Sequence, residues 1–156
     1  MTIEDDNNMV ETVNQQKLYQ QDFVAWCDDT VTKLKTGYFS EIDTDSLIEE
    51  IEGLAGRDRR ELKSRLRILL AHLLKRLYVE SPNDYRGWEV TIREQRQQLL
   101  DLLEQSPSLR GYFTEVLHKC WNAAFVEVNE DYPQTEFPDE WTSSNEINAL
   151  LNQKFW

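Results

Sequence analysis

The sequence predicts an all-α protein with four main helices in an antiparallel bundle, and three observations carry that expectation. In residues 57–79, Leu62, Leu66, Leu69, Leu70, Leu73 and Leu77 recur at steps of three and four, which lines one side of an α-helix. The pair Ser81-Pro82 returns as Ser106-Pro107, and each reads as a helix start with proline at the first helical position. No alternating segment of strand length stands out. A chain of 156 residues, 40% hydrophobic and 29% charged, is long enough to bury a core of its own.

Residues 1–15 are polar, acidic and without period, and read as a flexible tail ahead of one helical domain over 16–156. The first helix is expected at about 18–36. Tyr19, Phe23, Trp26, Thr30 and Leu34 share a side there, Asp22 stands in the first turn, and Gly37 supplies the stop. Phe23 and Trp26 are assigned to the core. Asp43 or Thr44 caps the second helix. Gly53 and Gly56 are candidate break points, since each costs about 1 kcal/mol against alanine. The phase argues for continuity: Leu47, Ile48, Ile51, Leu54, Ala55 and Leu62 stay on one side at about 100° per residue. One long second helix is therefore expected over about 45–79, roughly 50 Å long, with the glycines as the place for any kink. Tyr85, Trp88, Ile92, Leu99 and Leu103 trace the third helix, ending near Gln105. Leu109, Phe113, Val116, Leu117, Cys120, Trp121, Ala124 and Val128 trace the fourth, and a short last helix at about 143–152 starts from Ser143 or Ser144.

Composition narrows the function. The net charge is −12, which argues against general affinity for nucleic acid or anionic lipid. Residues 57–76 run against that average, with Arg57, Arg59, Arg60, Lys63, Arg65, Arg67, Lys75 and Arg76 facing only Asp58 and Glu61. A basic leucine-rich helix of this kind would suit a lipid surface or a calmodulin-like partner in isolation; the acidic remainder of the chain counts against both. No apolar run approaches the roughly 20 residues that span a bilayer. The first residues lack the basic and apolar regions of a signal peptide, and Cys27 and Cys120 make no disulfide framework, so a cytoplasmic home is expected.

Several short patterns occur in a fixed order: Tyr19-x-x-Asp22-Phe23-x-x-Trp26, then Leu47-Ile48-Glu49-Glu50-Ile51-Glu52, then Ser64-Arg65-Leu66-x-x-Leu69-Leu70-x-His72-Leu73-Leu74-Lys75. Trp88-x-x-Thr91-Ile92-x-x-Gln95-Arg96 and Ser106-Pro107-Ser108-Leu109-Arg110 follow. Together these resemble a bacterial family catalogued as domain of unknown function twenty-nine, over about 17–152. The resemblance implies a helical fold and supplies no activity, cofactor or catalytic residue.

The constellation nearest to chemistry lies on the flank of the second helix, where Glu61, Arg65, Ile68, His72 and Arg76 fall in one sector. An arginine, then four to six residues, then a histidine resembles the signature of the HEPN ribonucleases, which are also helical bundles. There the histidine serves acid–base chemistry at the phosphate and the arginine offsets phosphate charge. Arg65-x6-His72 and Arg67-x4-His72 both have that spacing, and only Arg65 shares a face with His72. The alternative is a structural network in which Glu49, Glu52 and Glu61 pair with Arg65, His72 and Arg76, because an unpaired buried charge is costly. Leu62, Leu66, Leu69, Leu70, Leu73, Leu77, Trp88 and Ile92 are assigned to the core beside it.

Metal ligands are scarce. His118-x-Cys120 places its two side chains about 200° apart on a helix, and Glu49, Glu50 and Glu52 lack a Glu-x-x-His partner. There is no glycine-rich phosphate loop, no Gly-x-Ser-x-Gly and no Cys/His nucleophile pattern. No metal and no cofactor are expected. The leading expectation is a small cytoplasmic bundle that acts by protein–protein interaction, with a foreign partner or as a homodimer. The alternative is a HEPN-like, metal-independent endoribonuclease using Arg65 and His72.

Overall fold

The computed structural model describes Met9, residues 14–141 and residues 146–156. Most of the expected tail lies outside the described residues, though residues 14 and 15 at its end are already helical. The chain divides into two compact units, Met1–Ala55 and Gly56–Trp156.

The first unit begins with helical residues 14–21, here α1, followed by α2 at Phe23–Thr36. Asp22 is not inside the helix as the sequence reading had it. It is the N-cap, and its carboxylate accepts the Ala25 N–H at 3.0 Å. Gly37 closes α2 at φ +82, and the Gly37 and Tyr38 N–H groups both turn back to the Lys33 carbonyl. Trp26 is buried and packs edge-on against Tyr19 with centroids 4.8 Å apart. Phe23, assigned to the core from its spacing, is 48% exposed. It stacks on Trp26 at 5.9 Å and meets the Tyr19 ring edge-on at 6.1 Å, yet so small a unit has too few elements to enclose it.

A short 3-10 turn at Phe39–Glu41 leads to α3, Thr44–Tyr78, whose first residues complete the first unit. Asp43 caps it, accepting the Ser46 N–H at 3.2 Å and the Ser46 hydroxyl at 2.5 Å, and both residues are buried. The Tyr19 hydroxyl donates to Glu50 at 2.6 Å. That bond holds the phenol proton and pushes its pKa up to about 12. α3 passes through Gly53 and Gly56 as one 35-residue helix, as the phase of its apolar positions required.

In the second unit Leu62, Leu66, Leu69, Leu70 and Leu73 are sealed. So are Ala71 and Leu74, which point elsewhere on the helix, so this part of α3 is covered on more than one side. Leu77, expected in the core, is only half-buried in the last turn, and Val79 just beyond the helix is buried instead. α4, Pro82–Gln105, starts at the Ser81-Pro82 signal. It runs antiparallel to α3, since Arg65 meets Gln95 and Arg76 meets Glu89. Trp88, Ile92, Leu99 and Leu103 face the core.

α5, Leu109–Asp131, begins two residues later than Ser106-Pro107 suggested. Both residues are spent on a turn in which Ser106 and Pro107 carbonyls accept the Leu109 and Arg110 N–H groups. The α5 thiol Cys120 donates to the Lys63 carbonyl at 3.5 Å. α6 is Ile147–Asn152, and the caps expected for it, Ser143 and Ser144, lie outside the described residues. Arg96 of α4 donates to the Leu150 carbonyl at 2.9 Å and the Gln153 carbonyl at 2.6 Å, which satisfies acceptors that a short helix leaves over. Among the described residues no helix is long and apolar enough to cross a membrane.

Candidate functional site

The flank of α3 that carries Arg65, His72 and Arg76 faces α4, α5 and the C-terminal residues, and each cation there is held by near neighbours. Arg65 Nε donates to Glu61 at 2.8 Å, one turn back on the same helix, and its Nη1 to the Gln95 side chain at 3.3 Å. Arg76 Nε donates to Glu89 at 2.7 Å. Its guanidinium lies 4.1 Å from the Tyr85 ring centre and 5.2 Å from that of Trp156, so two aromatic faces and one carboxylate fix it. Glu49 and Glu52 were expected to serve these arginines. They are exposed residues of the first unit, and the carboxylates that pair are Glu61, also expected, and Glu89 of α4.

His72 is half-buried. Its Nδ1 lies 2.8 Å from the Ile68 carbonyl, one turn back, which requires the proton on Nδ1. Nε2 is then the acceptor, 3.4 Å from Lys75 Nζ. The ring meets a backbone carbonyl and an ammonium rather than the expected carboxylate. Burial pushes the imidazole below its ordinary pKa, Lys75 adds to that, and the Ile68 carbonyl and Glu127 oppose it. Lys75 is itself lowered by burial, with Glu127, Asp131 and Asp84 working the other way. The result is a neutral imidazole wedged beside a partly desolvated ammonium.

Arg65 and His72 thus share a helix flank two turns apart, each engaged by its own neighbours. Sequence reasoning missed Gln95, Tyr85 and Trp156 as partners. Gln95 and Tyr85 follow from an antiparallel α4, but Trp156 depends on where the C-terminus returns. Among the described residues no group of three or more His, Cys, Asp or Glu is placed to hold a metal ion. Cys120 is buried with its pKa raised by that burial, which makes it a poor nucleophile.

On another side of α3, Arg60, Lys63, Ser64 and Arg67 line a groove of about 350 Å³ with Lys119, Cys120 and Ala123 of α5. Four of its lining side chains are cations, and Cys120 is the buried one. The other feature that periodicity did not foresee is apolar exposure in the first unit. Phe23, Val31 and Leu34 on α2 are 42–48% exposed, and Ile48, Ile51 and Leu54 on α3 are 54–57% exposed. These residues have the spacing of core positions without the cover.

No curated protein and no solved structure matches the chain significantly. The family model described as Domain of unknown function DUF29 matches residues 18–156, nearly the whole sequence, and the chain belongs to that family.

Proposed function

We propose that this protein works by binding another protein through the apolar surface of its first unit. The observation that carries this is the pair of exposed stripes, Phe23–Val31–Leu34 on α2 and Ile48–Ile51–Leu54 on α3. Single exposed aliphatic side chains need no explanation, but stripes repeated at helical spacing on two elements of one unit mark surface meant to be covered. Acidic residues around them, among them Glu49 and Glu52, would keep the free chain soluble and choose a partner of opposite charge. The two cysteines are free thiols, which suits a reducing cytoplasm.

The ribonuclease reading has less support. Arg65 is tied to Glu61 and Gln95, and His72 spends its Nδ1 proton on the Ile68 carbonyl. A photo-activated cross-linking side chain at Leu34 or Ile51, in the full chain expressed at natural level in its own cells, tests the association reading. Discrete adducts at both positions are expected. A chain that gives none at either position would overturn it.

A further inference from the structure

We propose that the groove between α3 and α5 binds a small ligand with two linked phosphate groups, a diphosphate or its ester, held by Arg60, Lys63, Arg67 and Lys119. The groove lies wholly within the second unit, so it is independent of the association reading.

Four cations converge on the groove from two helices. Arg60, Lys63 and Arg67 are spaced three and four residues apart on α3 with Ser64 among them, so all four fall within one sector of about 100°. Lys119 reaches the same groove from α5. The two helices are tied there by the Cys120 thiol, which donates to the Lys63 carbonyl at 3.5 Å. Burial pushes that thiol above its ordinary pKa, and Lys63, Arg67 and Lys119 each oppose the rise, so three positive fields meet at its sulfur.

These charges are unspent. Among the described residues the ion pairs are Lys33–Asp29, Arg65–Glu61 and Arg76–Glu89, and no carboxylate lines the groove. Glu115 stands one turn before Lys119, at a spacing that favours pairing. It borders a different hollow, beside Arg59, and leaves Lys119 to the groove. The chain has 29 acidic residues against 17 basic ones, so four cations gathered without one acid run against its composition. Such a cluster repels itself until an anion enters.

Magnitudes choose the anion. A phosphate group carries about −1.5 to −2 at neutral pH, so two of them balance four cations. Arg60 and Arg67 are about 10 Å apart along the axis, too far for one compact group to serve both ends. At about 350 Å³ the groove is small even for a small-molecule site. Arginine meets phosphate oxygens two at a time, lysine adds point charges, and the Ser64 hydroxyl is a further donor. A nucleic acid strand would extend past the groove into the field of a chain with net charge −12. A small ligand feels chiefly the charges within a Debye length, about 8 Å at physiological salt. Binding rather than catalysis is implied, because burial keeps the Cys120 thiol protonated.

Titration calorimetry of the full chain with inorganic diphosphate is expected to give a single site with Kd below about 1 mM. Inorganic phosphate and sulfate at matched ionic strength should bind at least about tenfold more weakly, since each answers only part of the charge. R67Q/K119Q takes one exposed cation from each helix and should weaken diphosphate at least about tenfold. R86Q/R110Q removes the same charge from exposed positions outside the groove and should change it less than about threefold. Absence of diphosphate binding at about 1 mM overturns the proposal. So does binding that survives R67Q/K119Q, or that falls equally with R86Q/R110Q. A single-stranded RNA of about ten nucleotides is the rival probe, and it should bind more weakly than diphosphate. RNA that binds more tightly, and loses that affinity in R67Q/K119Q, would make the groove a strand site and overturn the small-ligand assignment.

Discussion

Two stretches of the same helix carry the same apolar rhythm and meet opposite fates. In the second unit, Leu62, Leu66, Leu69 and Leu73 are 0% exposed; in the first, Ile48, Ile51 and Leu54 are 54–57% exposed. The spacing is helical in both, and the phase is unbroken through Gly53 and Gly56. What differs is what covers the face. α4, α5 and α6 bring Trp88, Ile92, Phe113, Trp121 and Leu150 to the core that includes the leucines. The first unit brings little beyond Trp26 and its ring neighbours. Periodicity thus reports which face a helix has to bury, and the cover depends on what other elements supply.

Mutations can break this comparison, and the largest effect belongs to the sealed stretch. Leu69→Ala should cost about 2–5 kcal/mol by urea or guanidinium unfolding, the transfer term plus the cavity left behind. A loss under about 0.5 kcal/mol, the range of surface substitutions, would mean that the second unit is not the tightly packed body described here. Arg76→Ala comes next, at about 1–3 kcal/mol, because it removes two aromatic contacts and strands Glu89. Arg76→Met keeps the stem between Tyr85 and Trp156 and should recover part of that loss, which separates packing from charge.

His72 contributes through pH. Burial holds its folded pKa below the ordinary 6.5, so in the unfolded chain the imidazole takes up a proton more readily. Its share of stability is therefore full above about pH 6.5 and is lost as pH falls through that value toward the folded pKa. Unfolding midpoints measured at about pH 7.5 and about pH 5.5 should fall more for the natural chain than for His72→Gln. Equal falls would place His72 in water, whatever its neighbours. A carboxylate partner would reverse the sign, which is why the Ile68 carbonyl and Lys75 matter more here than the half-burial alone.

Much of this molecule was legible in the residues. The all-α class, the continuous α3 and the Ser81-Pro82 start follow from local rules of period and capping. Local rules failed where two of them competed, as at Ser106-Pro107, where a turn took the residues that also resemble a cap. The site was less legible because partners on a flank are chosen by tertiary distance. Glu61 was legible as the neighbour of Arg65 one turn back on the same helix, but that Glu89 would serve Arg76, and not Glu49 or Glu52, depended on how α4 lies along α3. Phe23 was misassigned for the same reason: its spacing puts it on the face of Trp26, and nothing local says that one ring of the pair goes uncovered.

The smallest effect is the most discriminating. Ile51 has the periodic position of a core residue and 57% of its surface in water. If cover decides, Ile51→Ser should change the unfolding free energy by no more than about 0.5 kcal/mol at concentrations where the chain is unassociated. Serine and isoleucine rank about equally inside a helix, so propensity adds little to that change. The same substitution should matter more once a partner sits on the stripe, because the side chain then leaves water on binding and its apolar area counts, at about 25 cal/mol per Å². A concentration series of thermal unfolding reads both regimes in one experiment. If copies of the chain cover the stripe, the natural chain gains stability with concentration and Ile51→Ser gains less, the two converging at high dilution. A large loss that persists at high dilution would show that the first unit covers Ile51 from within, and the contrast between the two stretches of α3 would then be one of degree.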